Sequence, residues 1–187
     1  TKALILNSPS NPSGAVYSHE ELKALATVIQ ESGVFVISDE IYDKIVFDGL
    51  KFASMTAFPD IRDQLIYING VSKSFAMTGW RVGFLAAHQD IAQVIKKFQG
   101  HVTSNPASIS QKAAVAGYLS DKHFQVDMVE AFQQRRDYVV KRLNTMPGVS
   151  CMNPAGAFYA FPDFSHYIGE DARFKSSLEL CGYLLEE

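Results

Sequence analysis

The segment VFVIS at residues 34–38 is the feature that most constrains the fold of this chain. Its side chains are apolar and mostly β-branched without alternation, which is typical of a parallel strand covered on both faces. A helix is predicted ahead of it, because Ser18 and Glu21 fit a capping box and apolar residues follow at helical spacing until Gly33. A further apolar segment, KALILN at residues 2–7, precedes that helix. The sequence therefore predicts a βαβ unit.

More elements of both kinds follow along the chain. Strands are expected at 65–69 (LIYIN) and 82–87 (VGFLAA), and helices at 90–99, 110–119 and 127–144. The last helix is long and polar-faced, and the composition after it turns to Gly, Pro and aromatic residues. We therefore expect a domain change within that helix, with one domain over residues 1–126 and a second over 127–187.

Composition and charge exclude several classes of protein. The chain has 187 residues, of which 47% are hydrophobic and 20% charged, as in ordinary globular domains. With a net charge of −3 and dispersed basic residues, it is not expected to bind nucleic acid or a membrane. No signal-peptide pattern is visible, and no apolar run approaches the roughly 20 residues that span a bilayer. Cys151 and Cys181 match neither a zinc spacing nor a disulfide framework, which favours a reducing cytoplasm.

Polar residues follow three of the predicted strands. Asn11 lies in the turn after the first strand, Asp39 follows the second and Lys73 follows the third. Ligands of open α/β sheets bind outside the carboxyl ends of the strands, so these residues predict a site.

Each of these residues also has a simpler interpretation. The turn NPSG at residues 11–14 needs no ligand, Asp39 can cap a helix, and Lys73 can be a surface lysine. Arg81 can form a cation–π pair with Trp80.

One chemistry accounts for all of these residues together. A lysine is a nucleophile towards carbonyl groups when its pKa is lowered, and it then forms a Schiff base. Pyridoxal phosphate needs such a lysine and a carboxylate beside its ring nitrogen, which Lys73 and Asp39 can supply. The remaining needs are donors to the phenolate oxygen and a cation with hydroxyls at the phosphate. Asn11 and Tyr42 are the candidates for the phenolate oxygen. The candidates for the phosphate are Arg81, Ser72 and Ser74.

Three blocks of sequence resemble a known family. They are NPSG at 11–14, SDEIY at 38–42 and SKSFAMTGWRVG at 72–83. Their order and spacing resemble the class I and II pyridoxal-phosphate-dependent aminotransferases of fold type I, in particular aspartate aminotransferases. NPAGAFY at 153–159 also resembles the small-domain strand that follows the interdomain helix in this family.

The resemblance implies a fold and an extent. The fold would be α/β, with part of the large cofactor domain, a mainly parallel sheet with helices on both faces, followed by the start of an α+β small domain. Family members are about twice this length, more than one ordinary domain. We therefore expect the chain, which lacks an initiator Met, to be a piece of a longer protein. Alone it is expected to be inactive or a weak cofactor binder.

The resemblance also implies a role for each residue. Lys73 would form the Schiff base and then carry the proton between the α-carbon and the cofactor. Asp39 would pair with the ring nitrogen, and Tyr42 and Asn11 would bind the phenolate oxygen. Asn11 would also touch the substrate carboxylate. The phosphate would bind Arg81 and Ser72.

The sequence departs from the family pattern at one position of the phosphate site. Many members carry a phosphate-binding serine three positions before the lysine, where this chain has Gly70. The assignment of Ser72 to the phosphate depends on how this departure is accommodated.

The expected activity is transfer of an amino group from aspartate to 2-oxoglutarate by a homodimer. Residues 101–111 resemble the aspartate branch, although they are also an ordinary link between two helices. Alanine or aromatic aminotransferase, lyase or decarboxylase activity stays open, as does a nonenzymatic role, because folds are reused.

Other enzyme classes lack their motifs here. The first turn does not carry G-x-G-x-x-G, and GVSKS at residues 70–74 is not the G-x-S-x-G of serine hydrolases. The five histidines have no metal-ligand spacing, so no metal site is expected.

Overall fold

Four strands form the main sheet of the computed structural model, which describes residues 1–121, 123–170 and 172–187. They lie side by side in chain order and are β1 (Ala3–Asn7), β2 (Phe35–Asp39), β3 (Leu65–Gly70) and β4 (Gly83–Ala86). The first three are parallel, and β4 is antiparallel to β3. Asn7 pairs with Asp39, and Asp39 with Ile68, so the carboxyl ends of β1 to β3 lie level at one edge. The predicted mainly parallel α/β sheet is confirmed.

Helix α1 (His19–Ser32) begins and ends where the sequence predicts. The Ser18 hydroxyl accepts from the backbone N–H of Glu21, and the Glu21 carboxylate accepts from the N–H of Ser18, which completes the capping box. Gly33 ends the helix with a φ of +66°. Leu22, Ala26 and Ile29 of α1 are buried against Leu6 and Val36 of the sheet.

The sheet is covered on one face more completely than on the other. Side chains alternate between the two faces of a strand, so the neighbours of buried Leu6 and Val36 point away from α1. Among these neighbours, Ile5 is 74% exposed and Phe35 is 42% exposed. The sequence predicts that both faces of residues 34–38 are covered. The described part of the chain covers only one of them.

The remaining helices follow the sheet. They are α2 (Gln89–Val102), α3 (Ser108–Leu119), α4 (His123–Leu143) and α5 (Ser177–Glu186). Helix α4 starts four residues earlier than predicted and runs unbroken through the proposed division between residues 126 and 127. Among the described residues, no helix has the length and apolar character to cross a membrane.

Helices α3 and α4 pack close to the carboxyl edge of the sheet. Ala114 of α3 packs against Val71 and Phe75, which flank Lys73 in the chain. Met128, Val129 and Phe132 of α4 pack against the Tyr42 cluster, whose buried members are Tyr42, Ile45, Phe47 and Ala157. A short antiparallel pair, β5 (Ser150–Cys151) and β6 (Pro162–Asp163), follows α4.

Candidate active site

The turn that carries Asn11 is tied to the end of β2 by one side chain. Asn7, the last residue of β1, donates from Nδ2 to the backbone carbonyl of Asp39 over 3.1 Å. Its Oδ1 accepts from the backbone N–H of Asn11 over 2.7 Å. Asn7 thus holds the Asn11 turn beside Asp39. Sequence reasoning missed Asn7, although its place at a strand end was a usable signal.

Asp39 caps a turn and faces a cleft. Its Oδ1 accepts from the backbone N–H of Ile41 over 3.2 Å, and residues 41–44 form a turn where a capped helix was the simpler interpretation. Asp39, Ser72 and Arg81 line one cleft of about 310 Å³ at the carboxyl ends of β2 and β3. A carboxylate, a hydroxyl and a guanidinium therefore meet in the same space, as the predicted site requires.

Tyr42 is buried, with 3% of its surface exposed. Its hydroxyl lies 2.5 Å from that of Tyr159. Burial raises the pKa of Tyr42 far above its ordinary value, and the negative charge of Asp39 adds to the rise, while a bond to the Asn11 side chain opposes it. Tyr42 therefore stays protonated and keeps a hydrogen-bond donor in the site.

Lys73 is half-buried and lies against aromatic rings. Its Nζ is 5.7 Å from the centroid of the Tyr42 ring and 5.2 Å from that of Phe158. These distances are within the range of cation–π contacts. The simpler interpretation of Lys73 as an ordinary surface lysine is wrong, since its environment is a partly desolvated aromatic corner.

The turn that presents Lys73 is fixed from below by Ser74. The buried Ser74 hydroxyl donates to Asp43 Oδ1 over 2.8 Å, and the side chain of Gln125 in α4 donates to the Ser74 carbonyl over 2.7 Å. The suggestion that Ser74 donates to a phosphate is therefore wrong. Its hydroxyl points into the protein and joins the lysine turn to the loop after β2.

Gly70 shows why this chain departs from the family pattern before the lysine. A Cβ at Gly70 would lie 2.8 Å from the carbonyl oxygen of Val82 and 3.0 Å from the Cα of Gly83. The approach of β4 therefore leaves no room for a serine at this position. Ser72 is a hydroxyl residue that lines the cleft with Arg81.

Arg81 lines the cleft with a guanidinium that makes one hydrogen bond within the part of the chain that the structure describes. Its Nη1 donates to the carbonyl of Thr78 over 2.8 Å, and its backbone has a φ of +55°. A guanidinium has five N–H donors, and this bond occupies one of them. The side chain is exposed, as an anion-binding group at a cleft mouth must be.

Residues 154–159, which follow α4 in the chain and are called the closing segment here, lie along one side of the site. The backbone N–H groups of Ala155 and Gly156 donate to the carbonyl of Gly14 over 3.0 and 2.9 Å. Gly14 has a φ of +69°, and a Cβ there would lie 2.4 Å from the Cβ of Pro154. The glycine of NPSG is therefore needed for this close approach, beyond its role in the turn.

The same segment carries two aromatic residues that sequence reasoning did not place in the site. Phe158 packs edge-on against Tyr42 with centroids 5.4 Å apart, and Tyr159 does so at 5.7 Å. The usable signal was the GAFY motif at residues 156–159, which resembles the family but was given no role in the site.

No group of three or more metal-binding side chains lies close enough to hold an ion among the residues that the structure describes. Both cysteines have free thiols.

Comparison with known proteins places this arrangement in context. The family model described as "Aminotransferase class I and II" matches residues 1–187. An aspartate aminotransferase of Bacillus subtilis is 43% identical over 188 aligned positions, which cover 100% of this chain and 48% of the relative. The chain thus spans about half the length of the curated relatives it matches.

Two solved structures are similar in fold. The crystal structure of an aspartate aminotransferase from Rhizobium meliloti has a TM-score of 0.93 and 38% identity, and the match covers 100% of this chain and 48% of that one. An alanine aminotransferase from Pyrococcus furiosus has a TM-score of 0.85 and 32% identity, with coverage of 100% and 47%.

Proposed function

Because the chain belongs to the class I and II aminotransferases, we propose that the full-length gene product transfers amino groups with pyridoxal 5'-phosphate and forms a Schiff base through Lys73. The observation that carries the proposal is the single cleft lined by Asp39, Ser72 and Arg81 at the carboxyl ends of β2 and β3. Lys73 lies three residues after the end of β3, with its Nζ 5.7 Å from the ring centroid of Tyr42. Asp39 is close enough to Tyr42 for its charge to raise the pKa of the phenol.

The residues present fit the cofactor. Asp39 offers a carboxylate to a protonated ring nitrogen, while Tyr42 and Asn11 offer donors to a phenolate oxygen. Arg81 and Ser72 offer a cation and a hydroxyl to a phosphate. When bound, pyridoxal phosphate supplies an electron sink for the negative charge that develops at the α-carbon of the amino acid.

The chain's own residues then have distinct tasks. Lys73 would supply the amine that holds the cofactor carbonyl and, when the substrate amine takes its place, the base that accepts the proton from the α-carbon. Asp39 keeps the proton on the ring nitrogen by its charge, and Tyr42 holds the phenolate oxygen by donation. Asn11, fixed by Asn7, also reaches the substrate carboxylate.

We assign aspartate as the amino donor and 2-oxoglutarate as the acceptor. Relatives named aspartate aminotransferases support this choice. Residues 101–111, which resemble the aspartate branch, run from the end of α2 through a loop into α3. Alanine is one alternative donor, because an alanine aminotransferase shares the fold of this whole chain. An aromatic amino acid is another, because an aromatic aminotransferase from Pyrococcus horikoshii is similar in fold over 87% of this chain, at 39% identity and a TM-score of 0.82. A lyase reaction and a nonenzymatic role of the fold have no such support here.

The assembly and the behaviour of the isolated chain follow from exposed apolar surface. Val94, Phe98 and Val102 of α2 are each more than half exposed, which supports a homodimer that covers them. The two free thiols support a cytoplasmic location. Since the chain spans about half of its relatives, we propose that it is inactive or a weak cofactor binder by itself.

The experiment is a comparison of lysine variants in the full-length gene product. Lys73→Ala is expected to lose turnover of aspartate with 2-oxoglutarate by at least about 100-fold, the size of a lost general acid–base contribution. Lys51→Ala removes an exposed lysine and is the matched control. Equal turnover in Lys73→Ala and Lys51→Ala would contradict the proposal, and turnover of alanine but not aspartate would correct the donor.

A further inference from the structure

Two phenols meet beside Lys73, whose Nζ lies 5.7 Å from the ring centroid of Tyr42. The hydroxyl oxygens of Tyr42 and Tyr159 are 2.5 Å apart, although the residues are separated by 117 positions in the chain. Their rings meet edge to face at 81°. The contact therefore joins the polar tips of both side chains and is not just aromatic packing.

The direction of this hydrogen bond decides whether the Tyr42 proton is available to a ligand. A phenol has one proton to donate and two lone pairs that accept. If Tyr42 donates to Tyr159, the Tyr42 proton is not free for a ligand. If Tyr159 donates, Tyr42 accepts through a lone pair and keeps its proton for an acceptor in the cleft. A hydroxyl that accepts a hydrogen bond is also polarised into a stronger donor.

We propose that Tyr159 is a positioning residue that donates its hydroxyl proton to Tyr42 and so directs the Tyr42 proton to the phenolate oxygen of the cofactor. The inference rests on the proposed function, because the acceptor belongs to pyridoxal phosphate. It adds a residue from the segment after α4 to a site whose other polar groups come from the loops after β1, β2 and β3.

The backbone that presents Tyr159 is fixed from two sides. Ala157 is fully buried, and its N–H donates to the carbonyl of Ile45 over 2.9 Å. The N–H of Phe47 donates to the carbonyl of Ala155 over 2.9 Å. A Cβ at Gly156 would lie 2.8 Å from the carbonyl oxygen of Ile45, so the two segments are in close contact. The backbone that leads into Tyr159 is thus held against the loop after β2.

The charged and titratable groups around Tyr42 are few. Burial and the charge of Asp39 raise the pKa of Tyr42, the Asn11 side chain bonds to it, and Nζ of Lys73 lies 5.7 Å from its ring centroid. Met128, Val129 and Phe132 of α4 pack against the cluster, and the guanidinium of Arg136 lies 4.8 Å from the ring centroid of Phe47, which belongs to it. Tyr42 therefore stays neutral through the pH range of a cofactor titration, so changes in that titration report on hydrogen bonding and not on Tyr42 ionisation.

The test uses the absorbance of cofactor bound to the full-length gene product, titrated with pH in the absence of substrate. Donors to the phenolate oxygen draw its charge away from the adjacent Schiff base proton. Tyr159→Phe weakens that donation, so the midpoint of the Schiff base titration is expected to rise by about 0.5 to 1 pH unit, the equivalent of one hydrogen bond. Tyr138→Phe, at a 67% exposed tyrosine of α4, is expected to leave the midpoint unchanged.

A second background separates positioning from a merely structural role. In Tyr42→Phe, adding Tyr159→Phe is expected to shift the midpoint by less than a third of its effect in the wild type, because the relay is already broken. An unchanged or lowered midpoint in Tyr159→Phe, or an equal shift in both backgrounds, would overturn the inference and leave the proposed function standing. A wild-type protein without a Lys73-dependent titration would overturn the proposed function and the inference together.

Discussion

The guanidinium of Arg136 donates two hydrogen bonds to the carboxylate of Asp48, over 2.6 Å from Nη1 and 2.8 Å from Nη2. Nη1 also donates to the carbonyl of Pro154 over 3.0 Å. Arg136 lies on α4 and is buried, whereas Asp48 lies in the loop after β2 and is half-exposed. One side chain therefore ties the long helix, the loop that carries Tyr42 and the segment that carries Tyr159.

Asp48→Ala is expected to lower the free energy of unfolding by about 1 to 2 kcal/mol. The variant removes one of two carboxylates that pair with the buried guanidinium, because Nε of Arg136 also donates to Asp137 over 2.8 Å. The estimate is set below that of a fully buried pair because Asp48 is half-exposed. Urea denaturation of the full-length protein measures the change. Asp60→Ala removes an exposed carboxylate and is the control. A loss in Asp48→Ala no larger than in Asp60→Ala would contradict the proposed tie.

The same pair predicts a dependence of stability on pH. The hydrogen bonds from Arg136 hold the pKa of Asp48 below its ordinary value of 3.8. A carboxyl whose pKa is lower in the folded state stabilises the fold above the unfolded pKa, and this contribution falls as the pH drops through the folded pKa. The advantage of the wild type over Asp48→Asn is thus expected to be constant near neutral pH and to shrink below pH 3.8. Denaturation at several pH values checks it, and an advantage that grows towards acid would refute the assignment.

Alanine substitutions at Gly14 and Gly33 together test the contact between the NPSG turn and Pro154. Both have φ near +70°, but a Cβ at Gly14 would strike Pro154, whereas nothing lies within 4 Å of one at Gly33. Gly33→Ala is expected to cost about 1 kcal/mol of backbone strain. Gly14→Ala is expected to cost about 1 to 3 kcal/mol more, through overpacking. Thermal denaturation of both variants measures the difference, and equal losses would show that the contact with Pro154 is unimportant.

Gly70→Ser restores the hydroxyl that many family members carry, yet it is expected to weaken cofactor binding here. The new Cβ would press on the carbonyl of Val82 and shift the strand that leads to Lys73. Titration of the apoprotein with pyridoxal phosphate checks this. Ser72→Ala is the comparison, with an expected loss of about 3- to 10-fold for one hydrogen bond. Tighter binding in Gly70→Ser would show that β4 yields to accommodate a hydroxyl.

Local pattern was enough to predict the βαβ unit and the candidate residues at its strand ends. Capping at Ser18 and Gly33 and the apolar character of β2 depend on neighbours in the chain, and both predictions are confirmed. The parallel register then brings Asn7 and Asp39 level.

Contacts across long separations could not be predicted in this way. Tyr159 reaches Tyr42 over 117 positions, and Arg136 reaches Asp48 over 88. Ser74 was misassigned for a related reason. Whether a hydroxyl beside Lys73 faces the cleft or the interior depends on the path of the turn, which Asp43 and Gln125 fix from other elements.

The most direct test of the central claim is borohydride reduction of the full-length protein with pyridoxal phosphate, followed by peptide mass mapping. Reduction converts the C=N bond of a Schiff base into a stable secondary amine, so the modified lysine can be located. We predict one phosphopyridoxyl group per chain, on the peptide that contains Lys73, and none in Lys73→Ala. Stoichiometric modification of another lysine, or of none while the protein still transaminates, would contradict the account.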